Sequence, residues 1–362
     1  MLAYFPGGLI ADRFPARNLM AFSLMATALG GLYLYSTPGD LGLKLLFGYW
    51  GVTSILLFWG AMIKATREWG ASDAQGLAFG LLDGGRGFVA SLFASIAVLI
   101  LVISVGAQTG NAEGLGKVIL FYSFATALGG LVIWLLLPSN SAGPSSIQLT
   151  PEHAKQTGLN ILEVLKNPTI WLQGGIVIAA YCGYKALDNY GIYAVEVLGM
   201  TQLESSEFTT LASYSRPVAA IGAGLLVDRY CASSVIKSLF IALVLAFLFL
   251  AATDPSSQTI GLVTANLFVT FVAVYALRGV YFALLQESKV KLHSTGTAVG
   301  VISFLGFTPD IFFAPITGRI LDANPGFVGF QHYFVALAVV ACIGLLLSAI
   351  LVKKIDSADN RF

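Results

Sequence analysis

Charge is what this chain has least of. Asp, Glu, Lys and Arg make up 11% of its 362 residues, whereas soluble domains carry about 25%. That deficit excludes an ordinary water-soluble globule. The net charge is only +1 and no basic block appears, so nothing draws the chain to nucleic acid. Cys182, Cys231 and Cys342 are scattered among apolar neighbours; they form no disulfide framework and read as small buried side chains. The histidines, His153, His293 and His332, stand far apart, and without a zinc-spaced Cys/His cluster no metal site is expected. No Gly-rich loop runs into Lys-Ser/Thr after a strand, which leaves ATP-driven work without a phosphate cradle. No nucleophile–base pattern points to an enzyme, and no cofactor is expected. The opening Met1–Asp12 also lacks the basic region of a cleavable signal peptide.

Apolar sequence is abundant instead. Hydrophobic residues reach 57%, with 39 glycines and 12 prolines, both better tolerated in transmembrane than in soluble helices. Ten stretches are long enough to cross a bilayer, near 18–36, 43–63, 75–105, 118–137, 169–198, 206–227, 234–252, 258–286, 294–320 and 332–353. The run at 1–11 is too short to cross alone. The expected fold is an all-α polytopic membrane protein in contact with the lipid bilayer. Asn167-Pro168 and Thr201-Gln-Leu-Glu204 read as helix starts. The Pro/Ser/Gly-rich segment 138–150 reads as a linker, followed by a short helix from Pro151 to Lys166 with Leu159, Leu162 and Leu165 on one face. This gives an incomplete N-terminal helical half (1–137), a linker (138–167) and a six-helix C-terminal half with a short tail (168–362).

Charge placement gives an orientation. With the 12–17 loop in the cytoplasm, thirteen Lys and Arg residues fall on that side and only Lys44, Lys117 and Arg319 on the other. Such a bias marks the cytoplasmic face. It places the linker and the C-terminus in the cytoplasm, with the chain in a plasma membrane or bacterial inner membrane.

Seven charges lie inside the spans away from their ends: Asp83, Arg86, Lys185, Asp188, Arg216, Arg278 and Asp310. A charge in hydrocarbon is costly, so such residues face a bundle interior or a wet cavity. Tyr181, Tyr184, Lys185, Asp188 and Asn189 form the densest polar cluster, and Lys185 and Asp188 can share a helical face. Arg216 precedes Pro217; Arg278 lies between Tyr275 and Tyr281; Asp310 follows Pro309 and precedes Pro315. These eight residues, Tyr181, Tyr184, Lys185, Asp188, Asn189, Arg216, Arg278 and Asp310, are the candidate solute contacts. Interhelical salt bridges are the alternative for each charge. Four positive groups against three negative ones favour an anionic solute. Gly76, Gly80 and Gly84 recur every fourth residue, and Gly296 and Gly300 repeat the spacing, which permits tight helix contacts. Asp83 and Arg86 beside the first stripe read as a gating charge pair.

The most specific pattern is a repeat. Gly8-Leu-Ile-Ala-Asp12-Arg13, followed by Arg17, returns as Gly224-Leu-Leu-Val-Asp228-Arg229. Each copy ends an apolar run and precedes a short polar turn. Gly allows close approach, while Asp and Arg can pair or cap neighbouring helix ends. Gly8, Asp12, Arg13, Arg17, Gly224, Asp228 and Arg229 are therefore candidate gating residues.

This repeat resembles the major facilitator superfamily, whose loop between helices 2 and 3 carries a Gly-x-Leu-Ala-Asp-Arg-x-Gly-Arg-Arg-like string. Pro15 and Ala16 depart from it, and Arg17 keeps a terminal basic residue. The resemblance implies two pseudo-symmetric helical halves about a central cavity, with the glycine-striped helices sliding between them. It aligns the ten spans with helices 3 to 12, so that helix 1 and most of helix 2 are missing. The run at 181–190 is also similar to helix 7 of the organophosphate/organic-anion antiporter branch, although that branch's basic position falls on Gly183. Together these imply a secondary transporter of a small polar solute, a sugar or an organic anion, working as a monomer by alternating access. Coupling would be to protons, through Asp188 or Asp310, or to a counter-anion. The alternative is a truncated, non-transporting membrane protein with a receptor or structural role.

Overall fold

The computed structural model describes residues 2–71, 73–105, 112–138, 161–256 and 258–359. Every regular element among them is helical. Among the described residues, eight helices are long and apolar enough to cross a membrane: Ala16–Tyr35, Asp40–Trp69, Gln75–Leu101, Gly114–Leu136, Ala232–Ala252, Ile260–Glu287, Leu292–Ala323 and Phe327–Ile355. The two other expected spans are helical but interrupted. Residues 169–198 run as Pro168–Ala186, a 3-10 turn at Leu187–Asn189 and Tyr190–Glu196. Residues 206–227 run as Gln202–Ser213 and Ser215–Arg229. The expectation of ten complete spans is revised accordingly; the breaks fall at Leu187–Asn189 and at Tyr214, two residues before Arg216-Pro217. Proline has no N–H to give a preceding turn, which explains a helix that restarts just before it.

Both anticipated helix starts form. The Asn167 side chain accepts the backbone N–H of Thr169, with Pro168 in the first turn. Thr201 and Glu204 make a reciprocal capping box, and the backbone N–H and hydroxyl of Thr201 hold the Glu204 carboxyl below its ordinary range. Of the linker helix expected over 151–166, residues 161–166 are helical and the rest lies outside the described residues, as does the linker at 139–150. Cys182 is buried and Cys342 half-buried, but Cys231 is exposed. The uniform burial expected of the cysteines is thus corrected: Cys231 sits in the turn before Ala232–Ala252, not within a span.

The chain groups into two compact units. The first comprises Met1–Glu68, Val89–Lys166 and Val290–Val301; the second comprises Trp69–Phe88, Asn167–Lys289 and Ile302–Phe362. Each takes in one segment from the other side of the linker.

In the first unit, Ala16–Tyr35 packs along Ala112–Leu136, and Tyr4–Arg13 packs on a π-helical stretch, Gly51–Trp59, inside the second span. Wide π turns loosen backbone pairing. Here Ser23 donates to the Thr53 carbonyl at 2.6 Å, and the Thr27 and Thr53 hydroxyls bond at 2.9 Å. These bonds satisfy polar groups that hydrocarbon could not.

In the second unit, Phe327–Asp359 packs against Ala232–Ala252 and Pro168–Ala186, and Ser215–Arg229 packs against Ile260–Val280. Its core is aromatic. Tyr193 meets Phe330 and Phe334 edge-on at 5.0 and 5.2 Å between ring centroids, a geometry that suits ring quadrupoles.

Candidate functional site

Four side chains distant in sequence, Tyr181, Tyr184, Arg216 and Arg278, gather in the second unit near Asp83, which lies about 12 Å along the Gln75–Val105 helix from its start. Arg216 donates to the two Asp83 carboxylate oxygens from Nε and Nη2, at 3.0 and 2.8 Å. This bidentate fork is the strongest geometry available to an Arg–carboxylate pair. Arg278 Nε donates to Asp83 Oδ1 at 3.2 Å. The Arg278 guanidinium lies 3.8 Å from the Tyr184 ring centroid and 5.9 Å from that of Tyr181, within cation–π range. Its Nη1 is buried without a hydrogen-bond partner. Arg86, exposed on the next turn after Asp83, acts electrostatically on Asp83, Arg216 and Arg278. Asp83 and Arg86, read from sequence as a gating pair, therefore sit with the solute-binding candidates, and the Asp83 carboxylate is engaged by Arg216 and Arg278.

Asp310 joins the edge of this cluster. Tyr181 Oη donates to its carboxylate at 3.0 and 3.2 Å, and the Tyr181 ring rests on Phe307 at 4.9 Å. Asp310 occupies the first turn of Pro309–Ala323, where the helix dipole favours an anion. The remaining candidates are placed differently. Lys185 Nζ is 2.7 Å from Asp188 Oδ2, the local pair that their spacing predicts. Asn189 donates to the Tyr333 hydroxyl at 3.2 Å, and that hydroxyl donates to the Ala186 carbonyl at 2.8 Å. Gly183, where the antiporter branch has its basic residue, packs on Val274.

The two Gly-x-x-x-Asp-Arg strings each cap a distant helix. In the first unit, Asp12 accepts the backbone N–H groups of Gly296 at 2.6 Å and Thr297 at 2.7 Å, and the Thr297 hydroxyl at 2.5 Å. These groups open the helix Thr295–Gly306. In the second unit, Asp228 accepts the N–H groups of Gly76 and Leu77 at 2.7 and 2.8 Å, the opening of Gln75–Val105. A carboxylate there satisfies orphan donors and meets the positive end of the helix.

The glycines make this approach possible. Gly8 and Gly296 abut backbone to backbone, as do Gly224 and Gly76, and none of the four has room for a Cβ. The contact continues along the second unit, where Gly80, Gly84 and Gly87 face Ala220, Pro217 and Arg216.

The motif arginines take other places. Arg13 is exposed, Arg17 is bonded to Asn18 at 3.5 Å, and Arg229 lies over the ring of Tyr230 at 5.6 Å.

Two buried cations escaped the sequence reading. Lys64 and Arg67 count there as cytoplasmic loop charges, yet both are buried. Lys64 donates to the Ala11 carbonyl at 2.9 Å, one residue before Asp12. Arg67 donates to the Thr295 hydroxyl at 2.6 Å and the Val290 carbonyl at 2.5 Å. Their three-residue spacing at the end of an apolar helix was the available signal.

The sequence profile of the Major Facilitator Superfamily matches residues 1–314. The match begins at residue 1 and includes the membrane-length helix Ala16–Tyr35. This overturns the expectation of a chain lacking helix 1 and most of helix 2, and with it the numbering of the spans as helices 3 to 12. Among relatives, the inner membrane protein YihN of Escherichia coli K12 is 29% identical over 365 residues, covering 96% of this chain and 82% of that protein. The inner membrane protein YqcE of the same organism is 26% identical over 368 residues, covering 99% and 84%. Among solved structures, the E. coli fucose:proton symporter FucP superposes with a TM-score of 0.73 at 12% identity, covering 96% of this chain and 87% of that one. The human organic anion transporter MFSD10 gives a TM-score of 0.67 at 15% identity, covering 96% and 80%.

Proposed function

This chain belongs to the Major Facilitator Superfamily, a family of transporters and not of enzymes, and we propose that it carries a small organic anion by secondary active transport. The observation that carries this reading is the convergence of Arg216 and Arg278 on the single carboxylate of Asp83, beside Tyr181 and Tyr184. Positive charge exceeds negative charge there, and one buried guanidinium nitrogen lacks a partner. Tyrosine rings and hydroxyls suit the carbon skeleton of a hydroxylated solute such as a sugar acid.

Asp310, hydrogen-bonded to Tyr181 at the edge of the cluster, is the group through which a proton would couple; exchange for a second anion is the other route. Asp12 and Asp228 serve as latches on two helix starts, broken and remade as access alternates. The chain works as a monomer in the bacterial inner membrane, with its linker and C-terminus in the cytoplasm, in keeping with the charge bias of its loops.

Uptake into proteoliposomes, screened over sugars, sugar acids and small organic acids under imposed pH or anion gradients, tests this. Organic acids should enter and compete, and Arg278→Gln should reduce their binding by about tenfold or more. Strong competition by neutral sugars alone, with binding unchanged by Arg278→Gln, would refute the anion assignment while leaving the family assignment intact.

A further inference from the structure

We infer that the second span, Asp40–Trp69, is a register switch: it moves between its π form and an all-α form, and the change withdraws Lys64 and Arg67 from the first latch. Ser23 and Thr53 are the positioning residues that hold the π form. The inference rests on the latch reading of Asp12 and is independent of the solute carried.

The sequence of the span suits an unbroken helix. Leu46, Trp50, Thr53, Gly60, Lys64 and Arg67 follow one another at spacings of three, four or seven residues. A continuous α-helix would line all six along one face. The structure divides them. Leu46 and Trp50 close on Gly30, Trp50 Nε1 donates to the Thr27 carbonyl at 3.1 Å, and the Thr53 hydroxyl meets that of Thr27 at 2.9 Å. These partners lie on Ala16–Tyr35. Gly60 instead packs on Gly7 and Ala11, and Lys64 donates to the Ala11 carbonyl at 2.9 Å, both on Tyr4–Arg13. Arg67 reaches a third segment, at Val290 and Thr295.

The π-helical stretch Gly51–Trp59 accounts for the division. A π turn takes in nearly one residue more than an α turn. Its nine residues therefore make about two turns, where an α-helix would make about two and a half. Conversion to α would swing Lys64 and Arg67 about half a turn from their partners and restore the single face. The same residues thus specify two discrete arrangements, as a switching element requires. Ser23 and Thr53 bias the choice. Both are buried, and Ser23 donates to the Thr53 carbonyl at 2.6 Å. That bond comes from outside the helix to a carbonyl inside the widened ladder.

Labelling of lysines with a water-soluble amine reagent, read by mass spectrometry on the detergent-purified full chain, follows the switch. Buried Lys64 should react about tenfold or more slowly than exposed Lys44. Ser23→Ala should speed Lys64 about fivefold, with faster backbone hydrogen exchange confined to residues 51–69. Deleting Leu57 and Phe58 leaves seven residues in the stretch, about two α turns. Lys64 then keeps its aim without a π form, and its labelling should fall about fivefold below wild type. Wild-type labelling of Lys64 in the folded deletion variant would mean that it opens by another motion; the switch is then refuted and the latch reading stands. Should the deletion variant not fold, Ser23→Ala decides alone: an unchanged Lys64 rate, or faster exchange spread over the whole chain, refutes the switch. If Lys64 of the wild-type protein reacts as fast as Lys44, the latch is not seated and both readings fall.

Discussion

The carboxylate of Asp12 accepts three hydrogen bonds, is half-buried, and has the buried cations Lys64 and Arg67 bonded to the segments on either side of it. The carboxylate of Asp228 accepts two hydrogen bonds and is exposed. Both sit at the same place in the same six-residue string and do the same thing to a helix start. The string therefore specifies the kind of contact but not its strength. Strength comes from Thr297, Lys64 and Arg67, which lie outside the string. The first latch should be the slower to release, and the second the one through which the cycle is tuned.

The harshest way to break the comparison is to remove what the two latches share. Gly8→Leu and Gly76→Leu should each lower proteoliposome uptake by about a hundredfold, because overpacking a closely packed contact forces backbone apart. Near-normal uptake in either would show that the close approach is dispensable there.

Next comes the support that only the first latch has. Arg67→Met should destabilise the protein by about 2–4 kcal/mol, by leaving the Thr295 hydroxyl and Val290 carbonyl without their buried donor. Thermal unfolding would report this, and an unchanged midpoint would remove Arg67 from the account.

The capping carboxylates follow. Asp12→Asn should cost its latch about 1–3 kcal/mol and Asp228→Asn about 0.5–1 kcal/mol. Thr297→Val should bring the first latch down toward the second. Both Asn variants should change turnover more than equilibrium binding; a pure loss of affinity with normal turnover at saturation would end the gating role.

The gentlest test concerns orientation. Exposed Cys231, two residues beyond Arg229, should react with a membrane-impermeant maleimide from the cytoplasmic side, while buried Cys182 stays protected. Reaction of Cys231 from the opposite side would reverse the topology.

Much of the fold was legible because apolar runs and caps are local signals. The starts at Asn167 and Thr201 needed only neighbouring residues to read. Lys185 with Asp188 was legible for the same reason, being three residues apart on one helix. Arg216, Arg278 and Asp83 were all singled out by their cost in an apolar span, but that the two arginines share Asp83 was not legible. Asp83 lies 133 residues from one and 195 from the other, and the surrounding glycines suggested packing instead. Asp310 and Tyr181 are similarly separated, by 129 residues. Lys64 and Arg67 were misplaced because a cation ending an apolar run looks the same whether it meets water or a buried carbonyl.

The row of small residues that brings Gly76, Gly80 and Gly84 against Gly224, Ala220 and Pro217 also behaves as a set of detents. Its glycines recur every fourth residue, so the next comfortable seating of these helices would be about 6 Å away. A step of that size takes Asp83 well beyond hydrogen-bonding reach of Arg216 and Arg278. A cluster carried by such a step would be either seated or unseated, with no stable position between. Fine adjustment of this helix pair would therefore alter how often the step occurs, never how far it goes.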